Sequence, residues 1–435
     1  NRMLNVTTSA QSKSTEKLSS GYKINRAADD AAGLSISEKM RKQIKGLDKA
    51  SSNAQDGVSA VQTAEGALTE VHSMLQRMNE LATQAANGTN SESDRSSIQD
   101  EIDQLTTEID RVSETTKFNE TYLLKGQSGT TNKYMAAHDA GFDGTLVDGD
   151  TKATFTMKIK AGESLKIGGT NYDIYATGSG VSDLQDKVGK LTANQEVTID
   201  GTKYTVVDKA GVDEKANKLE ATTIAAKIQA GSTVNLTPAD ASKAVKAVDT
   251  SKPTSIDVAT ATQKVTAELQ AANDIGAADG KSTVTAGTAT ADGTIEFAIQ
   301  KGHASVANTL SFNLHVGADA DSTNKITVNI DSMSTAGLGI KGLNVKDSTG
   351  TAATYAIDAI ADAISTVSSQ RSSLGAVQNR LEHTINNLDN VSENTTSAES
   401  RIRDTDMAKE MVNYSKNNIL AQAGQSMLAQ ANQSN

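Results

Sequence analysis

The chain has 435 residues, a formal net charge of −11 at pH 7, no Cys, no Trp, two Pro and 3% aromatic residues. Its length allows two to four domains, but so few aromatic residues leave the packing to Ala, Leu, Ile, Val and Met. The absence of Cys excludes disulfides, a thiolate nucleophile and a Cys-ligated zinc site, and the acidic balance argues against nucleic acid or anionic lipid as the main partner.

The first long element is a predicted helix in the N-terminal half of the chain. Apolar residues recur at steps of three and four over residues 54–85, which predicts a helix from roughly Ala32 to Ala86 with one buried stripe. At the standard rise this helix is about 80 Å long, which favours a rod over a compact domain. The stripe comprises Val58, Val61, Ala64, Leu68, Val71, Leu75, Met78, Leu81 and Ala85.

Two further stripes of the same kind follow along the chain. The turn sequence NGTN at residues 87–90 breaks the first helix, and Ser91 or Ser93 can cap a second one. Three such stripes predict a helical bundle that closes between distant segments. The second stripe comprises Ile98, Ile102, Leu105, Ile109 and Val112, and the third comprises Ile357, Ile360, Ile364, Val367, Leu374, Val377, Leu381, Ile385 and Leu388.

Weaker helices are predicted at the two termini, from roughly Arg2 to Leu18 and from Ala408 to the end. Neither is expected to be stable alone, because short isolated helices are marginal in water. They either fray or bury their apolar residues against neighbouring subunits, and in the second case polymerisation supplies the covering surface.

The middle of the chain, at about residues 126–350, is rich in Thr, Ala, Gly and Asp, and residues 153–159 alternate as a strand does. IGGTNYDI, from Ile167, recurs as IDGTKYTV, from Ile199, and each copy places a two-residue turn between short strands. Helix-compatible sequence follows at residues 181–191 and 215–229, so the repeats predict two ββα units. LSFNLHVGA, from Leu310, and NKITVNI, from Asn324, predict strands that lead back to the rod.

No motif in the sequence supports catalysis or a cofactor. Residues 337–342 match G-x-G-x-x-G, but neither an amphipathic helix nor a parallel βαβ unit follows, which favours a turn. Asp319, Asp321 and Asn324 lack the central Gly and closing Glu of an EF-hand, which favours a solvated acidic turn. No metal site is predicted, because none of the histidines has a metal-ligand spacing: His72, His138, His303, His315 and His383.

Five strings in this order resemble bacterial flagellin: LSSGYKINRAADDAAGLSI from Leu18, IKGLDKASSNAQDGVSAVQTAEGAL from Ile44, LQRMNELATQAANGTNS from Leu75, SRIRDTDMAKEM from Ser400 and SMLAQANQ from Ser426. The resemblance spans about residues 1–126 and 310–435. It implies an α+β multidomain fold, in which the terminal segments form a long antiparallel helical bundle or coiled-coil rod with β-rich variable domains of ββα repeats inserted into it.

The resemblance also implies a division of the chain into parts of a filament. The terminal helices would form an inner tube, the long helices an outer wall, and the middle an exposed surface. The expected parts are inner tube 1–20, spoke 21–33, rod 34–126, variable domain 127–309, rod 310–402, spoke 403–407 and inner tube 408–435. The spoke and assembly residues would be Asn25, Arg26, Asp29, Asp30, Arg403 and Asp404.

As a member of this family the chain would be a non-enzymatic, secreted, extracellular subunit that assembles into the bacterial flagellum for motility, without a cofactor, nucleic acid or membrane insertion. Its partners would be other flagellin subunits in a homopolymer, the flagellar export chaperone, and the cap and hook-associated proteins. Flagellins usually extend further at both tips, so this chain is expected to be truncated at both termini and to polymerise poorly in a sedimentation assay.

The resemblance implies a further partner, Toll-like receptor 5. Recognition would use the LQRxxELA motif and a nearby helix, in which an Arg makes charge-assisted hydrogen bonds and a Leu fills a pocket. Alternatively, the two Leu residues lie in the bundle seam, and Arg77 and Glu101 form a simple surface pair. The candidate receptor-binding residues are Leu75, Gln76, Arg77, Glu80, Leu81 and Glu101.

Two rival functions remain open at the level of sequence. A hook–filament junction protein, which is a hook-associated protein, shares the helical ends and inserted modules. An enzyme hosted in the variable middle, such as a metalloprotease, would need H-E-x-x-H, which is missing.

Overall fold

The computed structural model describes residues 2–176, 178–239, 243–249 and 252–433. The outermost residues of the two expected inner-tube segments, 1 and 434–435, lie outside the described part. The chain forms two compact units. The first contains residues 1–65, 311–329 and 372–435, and the second contains residues 66–310 and 330–371.

The helices account for both ends of the chain, and the boundaries of the long ones confirm the apolar periodicity. Helix α2 covers 55 residues and α8 covers 53. The helices are α1 Arg2–Ser20, α2 Ala31–Ala85, α3 Glu92–Thr115, α4 Val181–Gly189, α5 Ala221–Ala225, α6 Val258–Asn273, α7 Thr335–Leu338, α8 Thr351–Arg403 and α9 Met407–Gln433.

The strands fill the middle of the chain, and most of them are short. They are β1 Lys117–Phe118, β2 Thr121–Tyr122, β3 Gln127–Tyr134, β4 Thr145–Asp148, β5 Lys152–Lys158, β6 Ser164–Ile167, β7 Thr170–Tyr175, β8 Glu196–Ile199, β9 Thr202–Val206, β10 Lys218–Leu219, β11 Thr233–Asn235, β12 Val245–Lys246, β13 Ser255–Asp257, β14 Thr283–Ala286, β15 Thr294–Gln300, β16 His303–Asn308, β17 Leu310–His315 and β18 Lys325–Ile330.

In the first unit, α2 and α8 pack together through their apolar stripes. Leu47 and Ala50 of α2 meet Leu388 of α8 in one buried cluster. The strand pair β17 and β18 adds its side chains to a second cluster, where Ala54, Leu381 and Ile326 are buried together. Polar contacts accompany this packing, because the Ser51 hydroxyl donates to the Asp389 carboxylate at 2.9 Å.

In the second unit, α3 begins where the sequence predicts. Ser91 caps the helix: its hydroxyl accepts from the Asp94 backbone N–H, and the Asp94 carboxylate accepts from the Ser91 backbone N–H. This reciprocal capping box satisfies two N–H groups that a helix start leaves without partners. The seam residues Ile98, Ile102 and Ile109 are buried.

A four-stranded sheet of the second unit has the strand order β14-β15-β5-β4. Strands β15 and β5 are antiparallel, with Phe297 directly opposite Phe155. Both rings are completely buried, and α6 contributes Val265 and Leu269 to the same core. The alternation predicted over residues 153–159 is therefore confirmed, since its odd-numbered positions face this core.

The two repeats fold as antiparallel hairpins, β6 with β7 and β8 with β9. Their turn residues Gly168, Gly169, Asp200 and Gly201 all have positive φ. Two consecutive positive φ angles define the turn whose twist matches paired strands, which explains the Gly-Gly and Asp-Gly pairs. The predicted hairpins are confirmed.

The two copies of the repeat differ after the hairpin. The first continues into α4, as predicted. In the second, the predicted helix over residues 215–229 is wrong, because Asn217 adopts a left-handed conformation and β10 then pairs parallel with β9. Only the five residues of α5 are α-helical there. The second copy thus belongs to a five-stranded sheet of order β10-β9-β8-β11-β12.

Candidate assembly and recognition surfaces

The two predicted spoke segments meet in the first unit, although residues 34–402 separate them in the sequence. Tyr22 and Asp404 form an isolated antiparallel bridge. The Lys23 N–H donates to the Arg403 carbonyl at 2.6 Å, and the Thr405 N–H donates to the Gly21 carbonyl at 3.0 Å. We call the contact between residues 21–33 and 403–407 the spoke junction.

Arg403 fastens the spoke junction to α2. Its guanidinium donates to the Glu38 carboxylate at 2.7 Å and lies 4.9 Å from the centre of the Tyr22 ring. The Arg403 side chain is only 13% exposed, whereas that of Glu38 is 55% exposed, so water still screens the carboxylate side of this ion pair. The hydrogen bond from Arg403 holds the pKa of Glu38 below its ordinary value.

Asp29 and Asp30 organise the turn that precedes α2. The Asp29 carboxylate accepts from the backbone N–H groups of Asn25 and Arg26 at 3.2 and 3.0 Å, and the Asp30 carboxylate accepts from the Gly33 N–H at 2.9 Å. The Arg26 guanidinium pairs with Glu16 of α1 at 2.9 Å. All six candidate spoke residues therefore lie in one hydrogen-bonded region with α1 and α2.

This region is expected to loosen in acid. Hydrogen bonds from the N–H groups of Arg26 and Asn25 lower the pKa of Asp29 from its ordinary value of 3.8. A carboxyl whose pKa is lower when folded contributes stability above its unfolded pKa, and that contribution is lost as the pH falls through the folded pKa. Hydrogen-exchange protection of the Asn25 and Arg26 amides should thus fall as the pH drops below about 4.

The matched control for this acid effect is Asp29→Asn, which removes the carboxylate charge and keeps the side-chain shape. It should reduce the same two protection factors at neutral pH and abolish most of their pH dependence. Protection that stays constant in acid, or that Asp29→Asn leaves unchanged, would contradict the role given to Asp29.

The terminal helices α1 and α9 pack against each other and leave most of their apolar side chains uncovered. Of the described side chains in this pair, only Ser14 and Ala421 are buried. Val412 and Ile419 are each 67% exposed, and Met427 is 71% exposed. Burying one such side chain contributes roughly 1.5–3 kcal/mol, so this pair presents an apolar surface suited to association.

A polar constellation lies on the second unit, where α2 and α3 run side by side. The Arg77 guanidinium donates to the Glu101 carboxylate at 2.9 Å and to the Glu80 carboxylate at 3.2 Å. Side chains of Arg77 and Glu101 are 50% and 45% exposed. Hydrogen bonds from Arg77 first to Glu101 and then to Glu80 raise the pKa of the guanidinium.

The other candidate receptor-binding residues divide between surface and core. Gln76 is exposed and lies within hydrogen-bonding distance of the His72 ring at 3.1 Å. Leu75 and Leu81 are 0% and 2% exposed, so in this structure they support the helix from inside. The apolar stripe in the sequence already predicted that both Leu residues face the interior of the bundle.

The G-x-G-x-x-G string and the segment with Asp319 and Asn324, both interpreted above as turns, lie at the end of a short helix and in a strand connection. Gly339 of the G-x-G-x-x-G string ends α7 in a left-handed conformation, and Gly342 also has positive φ. Asn324 donates its side-chain N–H to the Asp319 carbonyl within the β17–β18 connection. Across the described residues, no three His, Asp or Glu side chains are grouped so that they could ligate a metal ion.

Buried Arg95 is a structural residue that the sequence patterns did not reveal. Its guanidinium donates to the carbonyls of Ala85 at 2.8 Å and Asn87 at 3.2 Å, which belong to the end of α2 and the turn after it. It also donates to the carbonyls of Asp347 and Ser348, just before α8. An Arg five residues beyond an NGTN turn gives no sign of burial, since Arg is usually exposed.

Among the helices of the described residues, none combines the length and the hydropathy that a transmembrane span needs.

Known proteins resemble this chain over almost its whole length. Residues 1–129 match the bacterial flagellin N-terminal helical region, and residues 357–435 match the bacterial flagellin C-terminal helical region. The flagellin of Clostridium tyrobutyricum is 43% identical, with 99% of this chain and 96% of that protein covered. The flagellin of Bacillus subtilis strain 168 is 37% identical, with 99% and 92% covered.

Solved structures are less similar. Flagellar hook associated protein-3 from Legionella pneumophila is 15% identical with a TM-score of 0.34. The matched region covers 84% of this chain and 98% of that protein. At such a score the likeness carries no argument, and the named sequence relatives do not favour a junction protein. The chain belongs to the bacterial flagellin family of structural proteins, and it is a subunit of the flagellar filament.

Proposed function

We propose that subunits of this chain assemble by covering the apolar surface of α1 and α9 with the same helices of neighbouring copies. The observation that carries this proposal is the exposure of Val6, Val412, Ile419 and Met427 on the terminal helix pair. A charge introduced on this surface, as in Ile419→Asp, tests the proposal through the yield of sedimentable filament.

The proposed division of the filament subunit is the one that the resemblance to flagellins implies. Segments 1–20 and 408–435 form the inner tube, 21–33 and 403–407 the spoke, 34–126 and 310–402 the outer wall, and 127–309 the variable exterior. The hydrogen bonds of Asn25, Arg26 and Asp29, and the bridge at Asp404, support the spoke assignment. In this role the spoke junction transmits the position of the terminal helices to α2 and α8.

The chain acts outside the cell as a secreted structural protein without catalytic activity. Its further partners are the export chaperone, the cap protein and the hook-associated proteins of the flagellum. The absence of Cys is compatible with export, because an unfolded chain without thiols cannot form wrong disulfides on the way.

We also propose that the monomer is a ligand of Toll-like receptor 5, and that the receptor contacts the face formed by Gln76, Arg77, Glu80 and Glu101. Arg77 supports this assignment because its guanidinium is half exposed and is held in place by two carboxylates. Such pre-organisation reduces the entropy that an Arg loses on binding. Leu75 and Leu81 position the helix from the core and are not direct contacts.

Replacement of Arg77 by Ala is expected to weaken binding to the receptor ectodomain by at least about tenfold, since Arg is among the residues that dominate interface energies. Its pair with Glu101 is exposed, so the free energy of unfolding should change by no more than about 1 kcal/mol. Surface plasmon resonance and urea denaturation measure the two effects separately.

The matched control for the receptor experiment is Arg111→Ala, which removes an exposed Arg on α3 that pairs with Glu108. It should leave receptor affinity unchanged. Leu81→Ala should instead lower stability by about 2–5 kcal/mol, because it empties a buried site. Equal affinities for Arg77→Ala and Arg111→Ala would refute the assignment of this face.

A further inference from the structure

The turn between α2 and α3 contains the only Asn-Gly pair in the sequence, Asn87-Gly88. Both residues are exposed and lie outside the helices. A Cβ added at Gly88 would meet no atom within 4 Å, so the space around its backbone nitrogen is open. Asn87 therefore has an unhindered neighbouring nitrogen, while every other Asn that has a following residue precedes one with a side chain.

The hydrogen bonds of this turn favour attack on the Asn87 side chain. The Thr89 N–H donates to Asn87 Oδ1 at 3.2 Å. This oxygen gains negative charge when a nucleophile adds to Cγ, and a fixed donor at that position stabilises the charge. Within the described part of the chain, the Gly88 N–H has no acceptor, so no protein hydrogen bond needs to break before this nitrogen reacts.

We propose that Asn87 is a site of spontaneous deamidation and backbone isomerisation. The Gly88 nitrogen bonds to Asn87 Cγ, the bond between Cγ and Nδ2 breaks, and Nδ2 leaves as ammonia with the proton that Gly88 gives up. One water molecule then hydrolyses the cyclic imide, which opens to Asp or to isoaspartate. No electrons are gained or lost, and each event adds one negative charge to the formal −11 of the chain.

Isoaspartate at this position would disturb the buried contacts of Arg95. The Asn87 carbonyl accepts from Arg95 Nη2 at 3.2 Å and from the Asn90 N–H at 3.1 Å. In isoaspartate the main chain runs through Cγ, so the backbone gains a methylene group and the former Asn87 carbonyl becomes a carboxylate off the chain, which changes its position relative to both donors. The modification thus connects slow chemistry in an exposed turn with the packing of α2 against α3.

The same turn provides an internal control, because Asn90 is followed by Ser91. The Ser91 N–H donates to Asp94 Oδ2 at 3.0 Å as part of the capping box, so its nitrogen is engaged. Asn90 should consequently react far more slowly than Asn87, although the two residues lie in one turn.

Peptide mass spectrometry of the purified chain, incubated at mildly alkaline pH, tests the proposal. The peptide with Asn87 should gain the mass of an amide-to-acid conversion, with an isoaspartate fraction that isoaspartyl methyltransferase labels. Gly88→Ala, which fits without a clash, should react about tenfold more slowly. Conversion of Asn87 no faster than of Asn90, or a Gly88→Ala rate equal to that of the unsubstituted chain, would overturn the proposal.

The structural consequence has a separate measurement. The isoaspartate fraction should unfold at a lower urea concentration than the fresh protein, whereas Asn87→Asp, which adds the charge without the methylene, should lie closer to the fresh protein. Identical midpoints for the isoaspartate fraction and the fresh protein would refute the link to Arg95.

Discussion

Replacement of Arg95 by Met is expected to lower the free energy of unfolding by about 3–5 kcal/mol, because it removes several hydrogen bonds from a buried charged group and each such bond contributes about 1.5–3 kcal/mol. Arg95 is 2% exposed, and Met keeps the unbranched chain as far as the position of Arg Nε but donates no hydrogen bond. Four backbone carbonyls would lose the hydrogen bond that Arg95 donates, including those of Ala85 and Asn87. An unsatisfied buried polar group costs about 1–3 kcal/mol, and water entry relieves part of this cost.

The charge of Arg95 adds to this effect. The carbonyls at the end of α2 carry the negative end of the helix dipole, which favours a cation there. Denaturation in urea, followed by far-UV circular dichroism, gives the change in midpoint. Arg95→Lys should recover only part of the stability, because one ammonium group cannot span carbonyls that the planar guanidinium reaches together.

Arg111→Met is the matched control for Arg95→Met, since both residues lie on α3. Arg111 is exposed and pairs only with Glu108 in the described structure. Its loss should change stability by about 0.5 kcal/mol or less. If Arg95→Met unfolded at the same urea concentration as Arg111→Met, the buried hydrogen bonds would not stabilise the second unit.

The helical parts of the fold could be predicted because their signal is local and repeated. Leu68, Leu75 and Leu374 occupy stripes of constant spacing, and a long stripe admits only one regular structure. Ser91 confirms the predicted start of α3, because a hydroxyl before the first turn satisfies free N–H groups. The two hairpin turns were predictable for a similar reason, because Gly-Gly and Asp-Gly pairs favour the positive φ angles that such turns need.

The sheets could be predicted only in part, because strand order depends on pairings between distant residues. Strand β13 pairs parallel with β7, with Ile256 opposite Ile174, although about 80 residues separate them. The false helix at residues 215–229 arose because Lys, Ala and Glu favour helices locally, while the pairing of Leu219 with Val206 determines the observed structure.

The candidate sites could also be predicted only in part, because they depend on contacts between residues that are distant in the sequence. Tyr22 and Asp404 meet through backbone hydrogen bonds that no side-chain pattern records, and only the resemblance to flagellins suggested that their segments belong together. Arg77 and Glu101 lie too far apart in the sequence to belong to one short motif. The side-by-side arrangement of α2 and α3 nevertheless brings the Arg77 guanidinium within 2.9 Å of the Glu101 carboxylate.

Substitution of Ile419 by Asp is expected to abolish filament formation while the monomer stays folded. Ile419 is 67% exposed on α9, so an Asp there is solvated in the monomer and should change its stability by about 0.5 kcal/mol or less. In the filament, a neighbouring copy would cover this position. Desolvating an unpaired carboxylate costs several kcal/mol.

This penalty applies to every subunit of the polymer, and each 1.4 kcal/mol changes an association constant by about tenfold. A penalty of about 3 kcal/mol thus raises the concentration needed for polymerisation by more than about 100-fold. Sedimentation after seeding with filament fragments measures the polymer, and circular dichroism confirms that the helices of the monomer are retained.

The matched control is Ile419→Leu, which keeps an apolar side chain of the same size and should polymerise at nearly the concentration of the unsubstituted chain. A second charge on the same surface, Val412→Asp, should reproduce the loss, because Val412 is equally exposed. Because neither substitution removes a buried contact, lost assembly with intact helices would locate the subunit interface on α9. Because the unsubstituted chain is itself expected to polymerise poorly, its seeded yield is the reference, and filaments of Ile419→Asp at that same yield would show that this part of α9 stays in contact with solvent after assembly.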